Sequence, residues 1–471
     1  MTCYNWIKTM DHTEKEFKNM RVTVMGLGKF GGGIGVARFL AESGAQLTVT
    51  DLKSEDDLSE SLLKISGFGI RFVLGRHEIK DFTDAHMVVV SPAVPRDSVF
   101  ITEARKFGTH ICTEIGLFVE RCSATICGIT GSNGKTTTVS MIQSILECSG
   151  RTHWIGGNIG GSLLSQLNRI SNDDIVVLEL SSFQLEWLNE MHWSPHIAAI
   201  LNVLPNHLDR HTTFEQYKDA KAAILDYQKS GNIAVLVHDD PGSRSMISHV
   251  RGRIIWVGTD LGMEGITLNE GIISERSWKT MTYILSTHNL QVPGKHTVLN
   301  AMVAAACARC MEIDSYSIAR GLAAFRGLPH RLEPVGEYNG IAFCNDSKAT
   351  TPEAASAGIR AFERPVIPIL GGYDKKVSFD EMAQQITERV RWAALIGDTA
   401  PLLKKALENS GIESTIYSSL EEAFKACVSR AVEGDIILLS PACASYDMFN
   451  DFEERGDMFK QLVREYTGVR T

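Results

Sequence analysis

No apolar run in the 471-residue chain approaches the roughly 20 residues that a bilayer span requires, which excludes a membrane helix. The opening stretch MTCYNWIKTMDHTEKEF lacks an apolar signal core, so a cytoplasmic protein is expected. There is no basic block, and the net charge of -9 disfavours non-specific nucleic-acid binding. The ten cysteines form no disulfide framework, and most (Cys127, Cys344, Cys443) stand among apolar neighbours as reduced core thiols would. The CxxC of Cys307 and Cys310 falls inside the Ala-rich run MVAAACARCM and reads as two thiols on one helix face. Short-period repeats and low-complexity segments are missing too. What is left is an ordinary soluble globular composition, long enough for about three domains at roughly 150 residues each.

Against these absences one stretch stands out, Gly128 to Thr138, GITGSNGKTTT. It follows the strand-like run Ala124 to Cys127. It opens onto a helical pattern with Val139, Ile142, Ile145 and Leu146 on one face. Strand, glycine turn and helix start together make a phosphate cradle, because backbone N–H groups at a helix N-terminus point at anionic oxygens. Lys135 can reach terminal phosphates and the Thr136 hydroxyl can bind Mg²⁺. The strict pattern GxxxxGK[ST] is not met, since Ile129 occupies its first glycine position.

Residues 1–20 are polar and read as an extension. Arg21 to Met25 reads as a strand running into Gly26-Leu27-Gly28-Lys29-Phe30-Gly31, a full GxGxxG, and a second strand ends at Asp51. That spacing is the dinucleotide fingerprint, and alone it argues for NAD. A second nucleotide site at Lys135 makes a two-cofactor dehydrogenase awkward, and the same geometry also holds the diphosphate of a nucleotide-sugar. Further on, Met87 to Val90 runs into Ser91-Pro92-Ala93-Val94-Pro95, a turn at a strand's carboxyl end. Gly156 to Gly161, GGNIGG, is a backbone able to approach a ligand closely.

Two carboxyl ends of buried strands carry polar groups. IVVLEL places Glu179 near the end of an apolar run, where a carboxylate is costly unless paired or metal-bound. Ile197 to Val203 leads into Leu204-Pro205-Asn206-His207-Leu208-Asp209-Arg210-His211. Phe214 to Gln228 reads as an amphipathic helix with Tyr217, Lys221, Ile224 and Leu225 on one face, so Lys221 sits on the apolar stripe. Most helix lysines are solvated or snorkel; one that points inward needs a partner or a modification. In the last third, four strands (341–344, 365–370, 393–396, 436–439) each end in a small or polar turn, with helical patterns between. That predicts a doubly wound parallel sheet with its working edge at the carboxyl ends. The expected organisation is α/β throughout: an extension 1–20, a Rossmann-like domain 21–120, a central P-loop ATPase-type domain 121–331, and a Rossmann-like domain 332–471.

Taken together, GITGSNGKTTT, GGNIG, ELSSFQLE at Glu179, GLPHR at Gly327, NDSKAT at Asn345 and LSPACASYDMFNDFEERG at Leu439 resemble the Mur ligase family from about Arg21 onward. The closest likeness is to the branch that adds D-glutamate to UDP-N-acetylmuramoyl-L-alanine in peptidoglycan precursor synthesis. The alternative is a sister ligase adding another amino acid such as L-glutamate. The resemblance implies an ATP-dependent ligase working through an acyl phosphate, with two Mg²⁺ sites and a carbamylated lysine at Lys221. It implies a monomer acting on small molecules, without nucleic acid or membrane. By family match, Gly131, Ser132, Asn133, Gly134, Lys135, Thr136, Thr137, Asn300, Arg331 and Asp346 contact ATP. Thr136, Glu179, His207 and carbamylated Lys221 hold Mg²⁺, and Lys135, Glu179, His207 and Lys221 carry the catalysis. Gly28, Lys29, Phe30, Asp51 and Leu52 bind the uridine diphosphate, with Asn158, Ser181 and Gln184 nearer the muramoyl-alanine. Lys348, Thr350, Lys375, Ser445 and Phe452 hold D-glutamate, two lysines facing a dicarboxylate. Three positions depart from the family pattern: Asn206 where an acidic residue is common, Thr297 at the first asparagine of HNxxN, and Ala93 in the SPG turn.

Overall fold

The computed structural model describes residues 17–28, 31–204, 213–277, 279–292, 294–374 and 377–468. Among these, three sheets follow one another along the chain. The first holds β1 (Arg21–Met25), β2 (Gln46–Asp51), β3 (Arg71–Leu74), β4 (Met87–Val90) and β5 (His110–Thr113), in the order β3-β2-β1-β4-β5. All its pairings are parallel, so the carboxyl ends of β1 and β4 lie side by side where the strand order reverses.

The second sheet holds β6 (Thr125–Thr130), β7 (His153–Gly157), β8 (Ile175–Glu179), β9 (Ile197–Ile200), β10 (Ile233–Val237), β11 (Arg253–Thr259), β12 (Gly265–Asn269), β13 (Ile272–Arg276) and β14 (Met281–Ser286). Its order is β14-β13-β12-β11-β10-β9-β6-β8-β7. The first seven of these strands are mutually parallel and the last two antiparallel. β6 lies between β8 and β9, with Ile129 opposite Glu179 on one side and Ala199 on the other. Every residue of β8 is buried, as expected of a strand covered on both faces. One apolar core, from Val24 and Leu117 to Leu178 and Ile224, runs through the first two sheets.

The third sheet holds β15 (Glu333–Tyr338), β16 (Ile341–Asn345), β17 (Val366–Gly371), β18 (Trp392–Ile396), β19 (Glu413–Ile416) and β20 (Ile436–Leu439), in the order β15-β16-β20-β17-β18-β19. Apolar clusters line both its faces. The chain divides into two compact units. One runs to Thr287 and takes in Leu299–Leu322; the other holds His288–Val298 and Ala323 onward.

The sequence pattern does not mark β5, β7, β15 and β19 as strands. Each is short or carries glycine and polar residues, and β15 and β19 are sheet edges, where one side needs no partner. The third sheet is therefore six-stranded with an antiparallel edge, β15 on β16, rather than purely parallel. The Ala-rich run lies in the helix Lys295–Cys310. Cys307 and Cys310 stand in it; a hydrogen bond with Cys127 and then burial push the Cys307 thiol up, and burial pushes the Cys310 thiol up. No helix of the described residues is long and apolar enough to cross a membrane.

Ile129, at the missing glycine position, is fully buried near the carboxyl end of β6, an interior strand of the sheet. Restoring glycine there removes a core side chain and frees the backbone of a central strand. Ile129→Gly is expected to lower the urea-unfolding free energy by about 3–5 kcal/mol.

Candidate active site

The turn after β6 delivers Gly131 to Gly134, and the helix Lys135–Ser149 starts at once. Gly134 has φ +85°, and a Cβ there would meet Asn300 Oδ1 at 2.4 Å, so only glycine lets Asn300 stand against the turn. The loop is tied to the carboxyl end of β9 by hydrogen bonds. Ser132 N–H donates to Asn202 O at 2.9 Å, and Asn133 N–H to Asn202 Oδ1 at 2.9 Å. Ser132 Oγ donates to Leu204 O at 3.0 Å and lies 3.0 Å from the Tyr217 hydroxyl. Lys135 Nζ donates to Gly131 O at 2.8 Å and to Ser132 O at 3.2 Å. Thr136 is half-buried on the first helical turn.

Lys221 lies on the helix Phe214–Asp226 and is 1% exposed. Its Nζ donates to Gly131 O at 2.9 Å and Thr130 Oγ1 at 3.3 Å, and sits 4.7 Å from the Tyr217 ring centre. Burial, then the charge of Lys135, holds its pKa well below the usual lysine value. Glu179 ends β8 and is 2% exposed. Asn158 Nδ2 donates to its Oε1 at 3.0 Å, while the buried Oε2 has no partner among the described residues. Gly157, at φ +93°, brings its backbone so close that a Cβ would lie 2.2 Å from Glu179 O. Thr130 Oγ1 donates to Leu180 O at 2.8 Å, so Thr130 links the Lys221 amine to the residue that follows Glu179.

A cavity of about 610 Å³ opens at the β1/β4 switch point. Its wall brings together five expected residues: Gly28, Asp51, Leu52, Asn158 and Gln184. Ala93 lines it as well. The Asp51 carboxylate accepts three backbone N–H groups: Leu27 at 2.9 Å and Gly28 at 3.1 Å on Oδ2, and Lys53 at 2.9 Å on Oδ1. It therefore braces the glycine turn first, and keeps one acceptor position on Oδ1 for a ligand. Ser181 is not on the wall. It caps the helix Ser182–Glu190 in a reciprocal box with Gln184, whose Oε1 is taken by the Ser181 N–H and hydroxyl. Glu114, unmarked in the sequence, joins the wall and accepts from Ser162 Oγ at 2.5 Å. Burial pushes its carboxyl up to about 7.

In the other unit, loops at the carboxyl ends of β16, β17 and β20 meet. Asp346 follows β16; it accepts from Leu332 N–H at 3.2 Å and Ser440 Oγ at 2.8 Å, and burial raises its carboxyl to about 7. Lys348 Nζ stands 5.5 Å from the Phe452 ring centre. Arg455, 1% exposed, donates to Ser347 Oγ, Ser347 O and Cys443 O at 3.0, 2.8 and 3.1 Å, so it fastens the Ser347 turn to the turn carrying Ser445. Ser445 is buried and Thr350 half-buried. His330, Leu332 and Ala442 hold positive φ in these loops, the backbone strain that accumulates at working sites. Arg331 lies close enough to His296 to lower its pKa, secondary to burial.

Lys29, Phe30, Asn206, His207 and Lys375 lie outside the described residues. Arg455 and the Glu114–Ser162 pair escaped the sequence reading. Nothing in a helical pattern marks which arginine turns inward, and residues 114 and 162 are 48 apart.

Residues 20–113 match the model of the Mur ligase MurD-like N-terminal domain, 129–308 the Mur ligase middle domain, and 330–443 the Mur ligase glutamate ligase domain. A UDP-N-acetylmuramoylalanine--D-glutamate ligase of Acetivibrio thermocellus is 38% identical over 460 residues, covering 96% of this chain and 97% of the relative. The chain belongs to the Mur ligase family. A Roseiflexus enzyme of the same name is 39% identical, covering 95% of this Mur ligase and 99% of its own length. The fold is shared with the Thermotoga maritima UDP-N-acetylmuramate-alanine ligase MurC (TM-score 0.59, 20% identity, 96% of this chain and 100% of that one). It is shared also with Thermotoga maritima MurF in complex with ADP (TM-score 0.56, 20% identity, 96% and 97%).

Replacing Asp51 by Ala leaves three backbone donors without their acceptor. Asp51→Ala is expected to cost about 1–3 kcal/mol in urea unfolding and to weaken UDP binding measured by calorimetry, while ATP binding is unchanged.

Proposed function

We infer that this Mur ligase uses ATP to add D-glutamate to UDP-N-acetylmuramoyl-L-alanine; its relatives' names state the two joined substrates for them. The substrate carboxylate takes the γ-phosphoryl group to give an acyl phosphate and ADP. The D-glutamate amine then attacks the acyl carbon, and the tetrahedral intermediate expels phosphate to leave the amide. The observation that carries the site assignment is the pairing of two buried groups beside the phosphate loop: Lys221, held toward its neutral amine, and Glu179 with an unpartnered Oε2.

These two groups fit a Mg²⁺ site. A buried carboxylate oxygen without a hydrogen-bond donor is stable when a cation faces it. A neutral amine can attack CO₂: an N–C bond forms, one proton leaves, and a carbamate anion replaces the amine. Carbamylated Lys221, Glu179, His207 and the Thr136 hydroxyl would hold the metal, which supplies charge neutralisation for phosphoryl transfer. Lys135 and the loop N–H groups orient the phosphates, and Asn300 stands against Gly134 to fix the turn. Arg331 and Asp346 serve the nucleotide. The 610 Å³ cavity takes the UDP-substrate, with Asn158 linking its wall to Glu179. Lys348, Thr350, Lys375, Ser445 and Phe452 receive D-glutamate. The proposed domain limits stay at 21–120, 121–331 and 332–471, and the enzyme is read as a cytoplasmic monomer.

Two measurements test this assignment. Phosphate release with ATP, UDP-N-acetylmuramoyl-L-alanine and a panel of amino acids should require D-glutamate; release driven by L-glutamate alone would replace it with the sister reading. Lys221→Ala should lower kcat by about 10²–10⁴-fold, with partial recovery when a short carboxylic acid is added. Near-normal turnover in that variant would remove the carbamate.

A further inference from the structure

The cavity assigned to the UDP-substrate presents an electrostatic problem. Its ligand carries a diphosphate and a carboxylate, yet no lysine or arginine lines the described wall, and two carboxyl groups do: Asp51 and Glu114. Asp51 is compensated by three backbone N–H groups. Glu114 opens the helix Glu114–Arg121 and, among the described residues, has a single side-chain hydrogen bond, received on Oε1 from Ser162 in the loop after Gly161. That contact is close-packed, because a Cβ at Gly35 would fall 2.3 Å from Ser162 Cβ. Glu114 thus sits on the wall shared with Gly157, Asn158 and Gln184.

We propose that Glu114 is a specificity residue for the sugar–peptide end of the UDP-substrate: as a neutral acid, positioned by Ser162 on Oε1, it donates a hydrogen bond from Oε2 to a substrate oxygen. An ionised carboxylate there would have no proton to give and would repel the ligand. Burial, which pushes this carboxyl up to about 7, keeps a large neutral fraction near neutral pH; the Ser162 bond opposes it by favouring the anion. The other titratable groups on the wall are Asp51 and His77, the latter held below its usual value by burial. Ser162, Asn158 and Gln184 are uncharged. On the helices packed against this one, Arg38 bonds Lys64 O, and Glu190 pairs with Arg96 and Arg105.

The inference rests on the assignment of the cavity to the UDP-substrate, and calorimetric binding of UDP-N-acetylmuramoyl-L-alanine at pH 6 and pH 8 separates the two. Binding by the neutral acid alone predicts a Kd about tenfold weaker at pH 8 than at pH 6, since affinity falls as pH rises through a pKa near 7. Glu114→Gln keeps the amide as a permanent donor and should bind with the same Kd at both values. Ser162→Ala, which loses the bond that favours the anion, should move the decline to higher pH. A wild-type Kd independent of pH, or an equal decline in Glu114→Gln, overturns the role of Glu114. No binding by the wild type or either variant, with folding confirmed by circular dichroism and ATP still bound, overturns the cavity assignment itself.

Discussion

An ammonium group removed from water and set near a second lysine is unfavourable on both counts, desolvation and like charge. Lys221 is in that position, and the local structure is arranged around it. The amine is held by Gly131 O and Thr130 Oγ1 and covered by the Tyr217 ring. Tyr217 in turn reaches Ser132 in the phosphate loop, and Thr130 reaches Leu180 beside Glu179. A conversion of this amine to an anion would turn an electrostatic cost into a metal ligand. It would also meet the unpartnered Glu179 oxygen with a shared cation.

The parallel strand ends explain why these groups meet. β8, β6 and β9 are adjacent, so Glu179, the phosphate loop and the Asn202 turn emerge from one edge of one sheet. Ile129 shows the same constraint from the other side. Its strand needs a buried side chain between two neighbours more than the loop needs a fifth residue of slack, so the strict glycine is dispensable. Asp51 plays a comparable part in the first sheet, where its carboxylate shapes the glycine turn before it meets any ligand.

Much of this was legible in the sequence because it depends on periodicity and strand ends. Lys221 announced itself by sharing a stripe with Tyr217, Ile224 and Leu225, and Glu179 by closing an apolar run. The short strands β15 and β19 were not legible, because EPVGEY and ESTI lack apolar alternation and owe their pairing to a neighbour. Glu114–Ser162 and Arg455–Ser347 were not legible either, since each joins residues far apart in the chain whose types occur everywhere. The Ser181 hydroxyl also caps the helix Ser182–Glu190, a local role that its motif does not show by itself.

The most direct test of the central claim is ¹³C NMR of the full-length enzyme in ¹³C-bicarbonate buffer. A carbamate carbonyl resonance present in the wild type and lost in Lys221→Ala is the result this account predicts. No such resonance, or one that persists in the variant, would contradict it and leave the burial of Lys221 without its explanation.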